Sequence, residues 1–371
     1  MASLSAAKRL VIKIGSALLV DKATGGLRGD WLRGLAEDVA WLKGLGKDVV
    51  LVSSGSIALG RGVLGLGNAE LPLEQAQAAA AVGQIRLARA YEEVLQPYGI
   101  TTGQVLVTLE DSANRRRYLN SRATMDQLIR LGVVPIVNEN DAIANDELRY
   151  GDNDRIAALL ANSASADVLV LLTDMDGVYT DDPRSHPDAR LIPLVRSDDP
   201  LLAITAGSGG SGRGSGGMAS KLTAARMASW SGVRSVIGRA ARDGILAGAV
   251  SDELVGTTFE PHARALSARR LWIAFAAEVH GKVVVDSGAR RALVEGHKSL
   301  LPAGVVHAEG GFAVGDVVDI VTDDGRTFAR GRASVHAHQL LAAIGRRTAD
   351  LPDDVNDEVV HRDDLVVFDD N

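Results

Sequence analysis

At 371 residues the chain is longer than one hydrophobic core ordinarily serves, so two domains are expected. Its net charge of -7 argues against a protein whose main task is to coat a nucleic-acid backbone, because that task needs a dense basic footprint. The lack of cysteine excludes disulfides, thiolate metal sites and cysteine nucleophiles, while hydrophobic and charged shares of 46% and 23% are those of an ordinary globular chain.

The opening segment, MASLSAAKRLVIKIG, runs almost at once into a charged apolar strand and lacks the long uncharged core of a signal peptide. No stretch approaches the ~18 uninterrupted apolar residues of a membrane span, so a cytoplasmic location with no membrane partner is expected. Residues 9–14 form a β-branched run, and Asp30 then opens a stretch whose apolar residues, Leu32, Leu35, Ala36, Val39 and Leu42, recur at helical spacing. Residues 49–52 are continuously apolar, as in a strand buried on both faces. The same alternation returns at 104–107, 133–137, 168–172 and 233–237, which predicts an α/β fold with a largely parallel sheet sandwiched by helices. After Phe259 the pattern changes. A basic, helix-compatible connector at 262–270 leads to short segments at 282–285, 317–321 and 330–335, separated by Gly and Asp pairs, which predict a small β-rich domain. The expected division is an α/β domain at 1–260, a linker at 261–278, the β-rich domain at 279–357 and an acidic tail at 358–371, either solvated or an interaction tail.

In open α/β sheets ligands gather at the carboxyl ends of the strands, and four strand ends here carry polar, glycine-bearing sequence. The first, Lys13-Ile14-Gly15-Ser16, sets a lysine before a turn whose backbone N–H groups can cradle an anion, although an ordinary strand lysine before an ordinary turn looks the same. The second, Ser53-Ser54-Gly55-Ser56, precedes a helix and suits either a serine cap or an anionic substrate group. The third, Asn138-Glu139-Asn140-Asp141, is followed by Gly151-Asp152-Asn153-Asp154. Together they hold more carboxylates and amides than caps require, and they suit an amino-acid ammonium, lysine partners or the orientation of metal-bound water. The fourth, residues 207–221, is glycine-rich and enters a helix with Lys221 in its first turn, an arrangement able to wrap a polyphosphate. It lacks the G-x-x-x-x-G-K spacing of a P-loop, and a flexible linker would have no need to sit inside an α/β alternation.

Two lysines flanking glycine-bearing loops, with an acidic cluster between them, are the equipment of phosphoryl transfer, in which lysines and Mg2+ answer the charge that develops on the migrating group. A carboxylate acceptor is already ionised near neutral pH and needs no general base, which accounts for the absence of histidine from the four motifs.

The segments KIGS, VSSGSIALG, VPIVNENDAI, YGDND, LLTDMDGVYTDDPR and SGGMASK, in this order, resemble the glutamate 5-kinases of the amino acid kinase family across nearly all of residues 8–259. Residues 279–357 resemble the PUA domain that bacterial members append. The resemblance implies ATP-dependent phosphorylation of the side-chain carboxylate of L-glutamate, the step that commits it to proline. It further implies that Lys13, Thr173 and Asp174 bind ATP together with Ser215, Gly216, Gly217, Met218, Ala219, Ser220 and Lys221. Ser54, Asp141 and Asn153 would bind glutamate, Lys13 and Lys221 would stabilise the migrating phosphoryl group, and Asp154 would hold the lysines. Mg2+ would be held through ATP phosphates and water with no direct protein ligand. Feedback inhibition by proline and a homo-oligomeric state are implied in the same way. Ser215 stands where some relatives carry Thr, a change that keeps the hydroxyl, whereas the added glycines and Arg213 make the preceding loop this chain's own. Acetylglutamate kinase, aspartokinase, carbamate kinase and uridylate kinase share the phosphate machinery but not the NENDA and YGDND pair with a PUA tail. An RNA-binding role for the PUA-like part is disfavoured by the acidic tail and by the lack of basic and aromatic interleaving.

Overall fold

The structure, a computed structural model, describes residues 6–21, 24–67, 69–108, 115–143, 153–202, 217–240, 246, 256–262, 265–276, 279–346 and 356–368. Two compact units emerge, Met1–Asp199 with Arg213–Ala265, and Pro200–Gly212 with Leu266–Asn371.

The first unit is built on an eight-stranded sheet. Its strands are β1 (Arg9–Ile14), β2 (Asp48–Ser53), β3 (Thr102–Val107), β4 (Val134–Glu139), β5 (Val168–Thr173), β6 (Leu194–Val195), β7 (Arg234–Arg239) and β8 (Thr257–Phe259), ordered β3-β4-β2-β1-β5-β7-β8-β6. All neighbouring pairs are parallel except β7 with β8. Every residue of β4 and β5 is buried, as are all but the first of β1 and β2, so continuous apolar runs form these strands because helices cover both faces. From β1 the chain moves to β2 and β4 on one side, then returns to β5 on the other. Such a switch in direction opens a crevice at the carboxyl ends of β1 and its neighbours.

The helices are α1 (Ser16–Leu19), α2 (Gly29–Gly44), α3 (Ser56–Leu64), α4 (Leu73–Leu95), α5 (Arg115–Arg130), α6 (Asn153–Ser163) and α7 (Met218–Trp230). The five apolar positions expected on one face of α2 are all buried. Helices α3 and α4 meet backbone to backbone: a methyl group on Gly60 would stand 1.8 Å from Ala79 O, and one on Gly83 would stand 1.8 Å from Ser56 O. No side chain larger than hydrogen fits at either crossing.

The second unit carries a five-stranded sheet ordered β10-β9-β11-β12-β13, from β9 (Val279–Val285), β10 (Val305–Gly310), β11 (Val317–Val321), β12 (Thr327–Ala333) and β13 (Val360–Val367). Two expectations are corrected here. Residues 358–371, expected to be an acidic tail, contain β13, which pairs antiparallel with β12 and buries Val360, Leu365 and Val366, with Phe368 beyond it. The carboxylates do not prevent this because Asp364, the buried one, meets Arg269 and lies 3.3 Å from Arg332 Nε. Residues 261–278, expected to be a linker, include 268–276, which is helical and belongs to this unit, with Leu271, Ile273, Ala274 and Phe275 fully buried. Arg330 fixes that segment to the sheet, donating to Ala274 O at 2.9 Å and pairing with Asp319 at 2.8 Å.

Candidate active site

Two side-chain clusters stand at the carboxyl edge of the first sheet. The first is centred on Asp154, the second residue of α6, where the helix dipole favours a negative charge. Lys13, next to last in β1, brings Nζ to 2.6 Å from Asp154 Oδ1, and Lys221, in the first turn of α7, brings Nζ to 3.2 Å from Oδ2. Ser220 Oγ donates to the same Oδ2 at 2.8 Å. All three charged side chains are at most 5% exposed. Burial alone would raise the Asp154 carboxyl, yet the charges of Lys13 and Lys221 and the hydrogen bonds from Lys13 and Ser220 overcome it and hold the group below its ordinary value. Two buried ammonium groups against one carboxylate leave a net positive charge, and such a site attracts an anion. The start of α7 adds to this, because its N-cap is Gly217 and no side chain caps it, which leaves backbone N–H groups to face a ligand.

The second cluster joins β2, α3, β4 and α6. Gly55, at φ +116°, turns the chain from β2 into α3 and is itself the N-cap, without a side-chain cap. The serines of this motif therefore do not cap the helix, which removes the alternative that their sequence left open. Ser54 is half-buried, its backbone N–H held by Ile14 O at 3.1 Å. Ser56 Oγ donates to Asp141 Oδ2 at 2.9 Å and accepts from Asn138 Nδ2 at 3.3 Å. The same Asn138 amide donates to Gln84 Oε1 at 2.7 Å and accepts from Asn153 Nδ2 at 3.0 Å. The Asn153 carbonyl oxygen is in turn held by the Glu139 backbone N–H at 3.2 Å. From α4, the buried Tyr91 hydroxyl donates to Ser53 Oγ at 2.9 Å. Burial raises the Asp141 carboxyl above its ordinary value, with the Ser56 hydrogen bond countering part of the rise.

Because Asn153 and Asp154 are consecutive at the start of α6, the two clusters abut. Thr173, at the end of β5, lies two residues beyond Leu171, the strand partner of Lys13, and its hydroxyl donates to Asp174 at 3.2 Å. Gly217, Met218, Ala219 and Ser220 form the cap and first turn of α7. Ser215, Gly216, Gly151 and Asp152 lie outside the described residues. The sequence motifs include Ser56 and Asn138 without assigning them a role, and Gln84 and Tyr91 fall in no motif. A glutamine in an alanine-rich helix gives no local sign of a partner 54 positions away.

Residues 8–238 match the amino acid kinase family, and residues 281–353 match the PUA domain. A protein named glutamate 5-kinase from Dinoroseobacter shibae is 55% identical over 99% of this chain and 100% of its own length. The chain belongs to the glutamate 5-kinases of the amino acid kinase family. Glutamate 5-kinases from a Ruegeria species and from Roseobacter denitrificans are 53% and 51% identical, each over 99% of this chain and over 100% and 98% of their own lengths. The family match ends within β7, yet the sheet continues through β8. Residues 260–262 are tied to α7: Ser229 Oγ donates to Glu260 O at 2.7 Å, and His262 stacks on Trp230 at 3.8 Å between ring centroids. Among the described residues, no helix is long and apolar enough to cross a membrane.

Proposed function

We propose that this chain transfers the γ-phosphoryl group of ATP to the side-chain carboxylate of L-glutamate, giving L-glutamyl 5-phosphate and ADP, the first step of proline biosynthesis. The observation that carries this reading is the junction at Asn153 and Asp154, which sets a buried polar cluster of amides, serine and carboxylate against two buried lysines in a chain of this family. The Asp141 carboxylate takes the substrate ammonium, while Ser54 and Asn153 hold its polar groups and direct the side-chain carboxylate toward Lys13 and Lys221. A carboxylate oxygen then bonds to phosphorus as the bond from phosphorus to the ADP oxygen breaks. No proton moves, because a glutamate side chain with a pKa of about 4.3 is already ionised. Lys13 and Lys221 stabilise the charge on the migrating group, and Asp154 keeps both ammonium groups aimed at it.

Thr173, Asp174 and the segment from Ser215 to Lys221 hold the nucleotide. Both Asp154 oxygens face lysines, so the donor set fits a Mg2+ that arrives with the nucleotide rather than one bound by protein carboxylates. Held in that way, Mg2+ would supply charge neutralisation at the phosphate oxygens. The catalytic work resides in the first unit, from the start of the chain to about residue 260, and the PUA-like unit follows as a separate module. ATP use and the absence of cysteine support a cytoplasmic location. Proline shares the α-carboxylate and amine of glutamate and competes for the cluster around Ser54 and Asp141. Inhibition that saturating glutamate cannot overcome would place proline elsewhere. The defining assay traps the acyl phosphate with hydroxylamine across a panel of amino acids with ATP. Glutamate should give the hydroxamate. Preference for aspartate or N-acetylglutamate would overturn the assignment.

A further inference from the structure

Gln84 projects from α4 into the amide cluster, is 9% exposed, and belongs to none of the motifs that suggest the chemistry. Its Nε2 hydrogens meet no hydrogen-bond partner among the described residues. A residue present only for packing would be better as methionine or leucine, which bury no unpaired donor. What the amide adds is one acceptor, Oε1, at 2.7 Å from Asn138 Nδ2.

Which way the Asn138 amide faces is set from Asn153, whose own oxygen is held by the Glu139 backbone N–H, and the Gln84 acceptor completes the arrangement. As it stands, Asn138 gives one N–H to Gln84 and one to Ser56, and its oxygen takes an N–H from Asn153. Turned over, its NH2 would face the Asn153 NH2, which the Glu139 backbone N–H holds in place, so that contact would be lost, and the Gln84 contact would survive only if the Gln84 amide turned as well. The orientation propagates further. Because Ser56 Oγ receives an N–H from Asn138, its own hydrogen goes to Asp141. With Asn138 turned over, an amide oxygen would compete with Asp141 for that hydrogen. The approach of α4 that makes this possible depends on Gly83, the preceding residue, which lets α4 lie against α3 at Ser56.

We propose that Gln84 is a positioning residue for the amino-acid substrate: its Oε1 takes the Asn138 N–H that Ser56 does not, steadies the chain from Asn138 through Ser56 to Asp141 in the polarity that Asn153 sets, and so holds Asp141 ready to receive the substrate. The inference rests on the proposed function and extends it to a residue outside the groups proposed to bind glutamate.

Steady-state kinetics of the full chain with glutamate and ATP test it. Gln84→Met keeps volume and removes the acceptor; KM for glutamate should rise about tenfold or more, with kcat and KM for ATP within about twofold. Gln84→Glu keeps an acceptor oxygen toward Asn138 and should return KM to within about threefold of the parent. Ser56→Ala breaks the same chain one link further on and should reproduce the Met profile, which keeps the test decisive should the Met protein fail to fold. Placed on Asp141→Ala, the Met substitution should add less than about twofold, because the group it acts through is gone. An unchanged glutamate KM in Gln84→Met or Ser56→Ala, or an equal effect of the Met substitution with and without Asp141, overturns the inference while the parent remains an active glutamate kinase. A parent inert toward glutamate would instead remove the proposed function and this inference with it.

Discussion

Replacing Asp154 with asparagine removes one charge and almost no volume from the buried lysine cluster. Lys13 and Lys221 lie 2.6 and 3.2 Å from its two oxygens. At an effective dielectric of about 20, each contact is worth roughly 5–6 kcal/mol of gross attraction, much of it offset by the desolvation of three charges. Removing one partner of such a buried arrangement costs about 3–5 kcal/mol, and here the remaining charges are two ammonium groups of like sign. Asp154→Asn should therefore destabilise the first unit by about that amount, read in urea by fluorescence of Trp31, Trp41 and Trp230. Inorganic phosphate should stabilise the variant more than the parent, because the site then carries two unneutralised positive charges. The pH dependence follows from a carboxyl held lower in the fold than in the unfolded chain. Its contribution is complete above the unfolded value of about 4 and is lost as pH falls through that value toward the folded one, so the gap between parent and variant should close below about pH 4. A loss under about 1 kcal/mol at neutral pH would refute the assignment of Asp154 as the group that holds both lysines.

Lys13→Met and Lys221→Met should each lower kcat by about a hundredfold or more while KM for glutamate moves only a few-fold, since the charge acts where it develops in the transition state. Lost glutamate affinity with normal turnover would contradict this. Burial raises Asp141, so its ionised form is lost on acidification at a higher pH than an ordinary aspartate allows. KM for glutamate should begin to climb above pH 4, and Asp141→Asn should abolish that part of the profile while raising KM throughout; a limb that survives the substitution would assign it to another group. Ending the chain after residue 265, which keeps the contact of His262 with Trp230, should leave a folded and active kinase. A fragment folded by circular dichroism yet inactive would show that the β-rich unit completes the site.

Where a segment's partners lie close in sequence or its pattern is simple, the chain discloses its structure. The buried strands are apolar runs, and the α2 face repeats at 3.6 residues. Lys13, Asp154 and Lys221 stand at strand ends or helix starts, where anion chemistry is expected. What stayed hidden depends on residues far apart. β13 reads as an acidic tail because its neutralising arginines, Arg269 and Arg332, are 95 and 32 positions away. The segment 268–276 reads as a linker because Arg330 and the apolar pocket that receive it come later in the chain. Gln84 and Tyr91 share one face of α4 two turns apart, and only the glycine crossing with α3 reveals what that face touches.

The proposed nucleophile is the side-chain carboxylate of glutamate. This assignment can be tested with ATP and glutamate carrying heavy oxygen in that carboxylate, followed by phosphorus NMR. The acyl phosphate cyclises when the substrate's own amine attacks the carbonyl, releasing phosphate that keeps the bridging oxygen. One labelled oxygen should appear in each phosphate released. Phosphate free of label, formed at the same rate, would mean that water is the acceptor and would contradict the account.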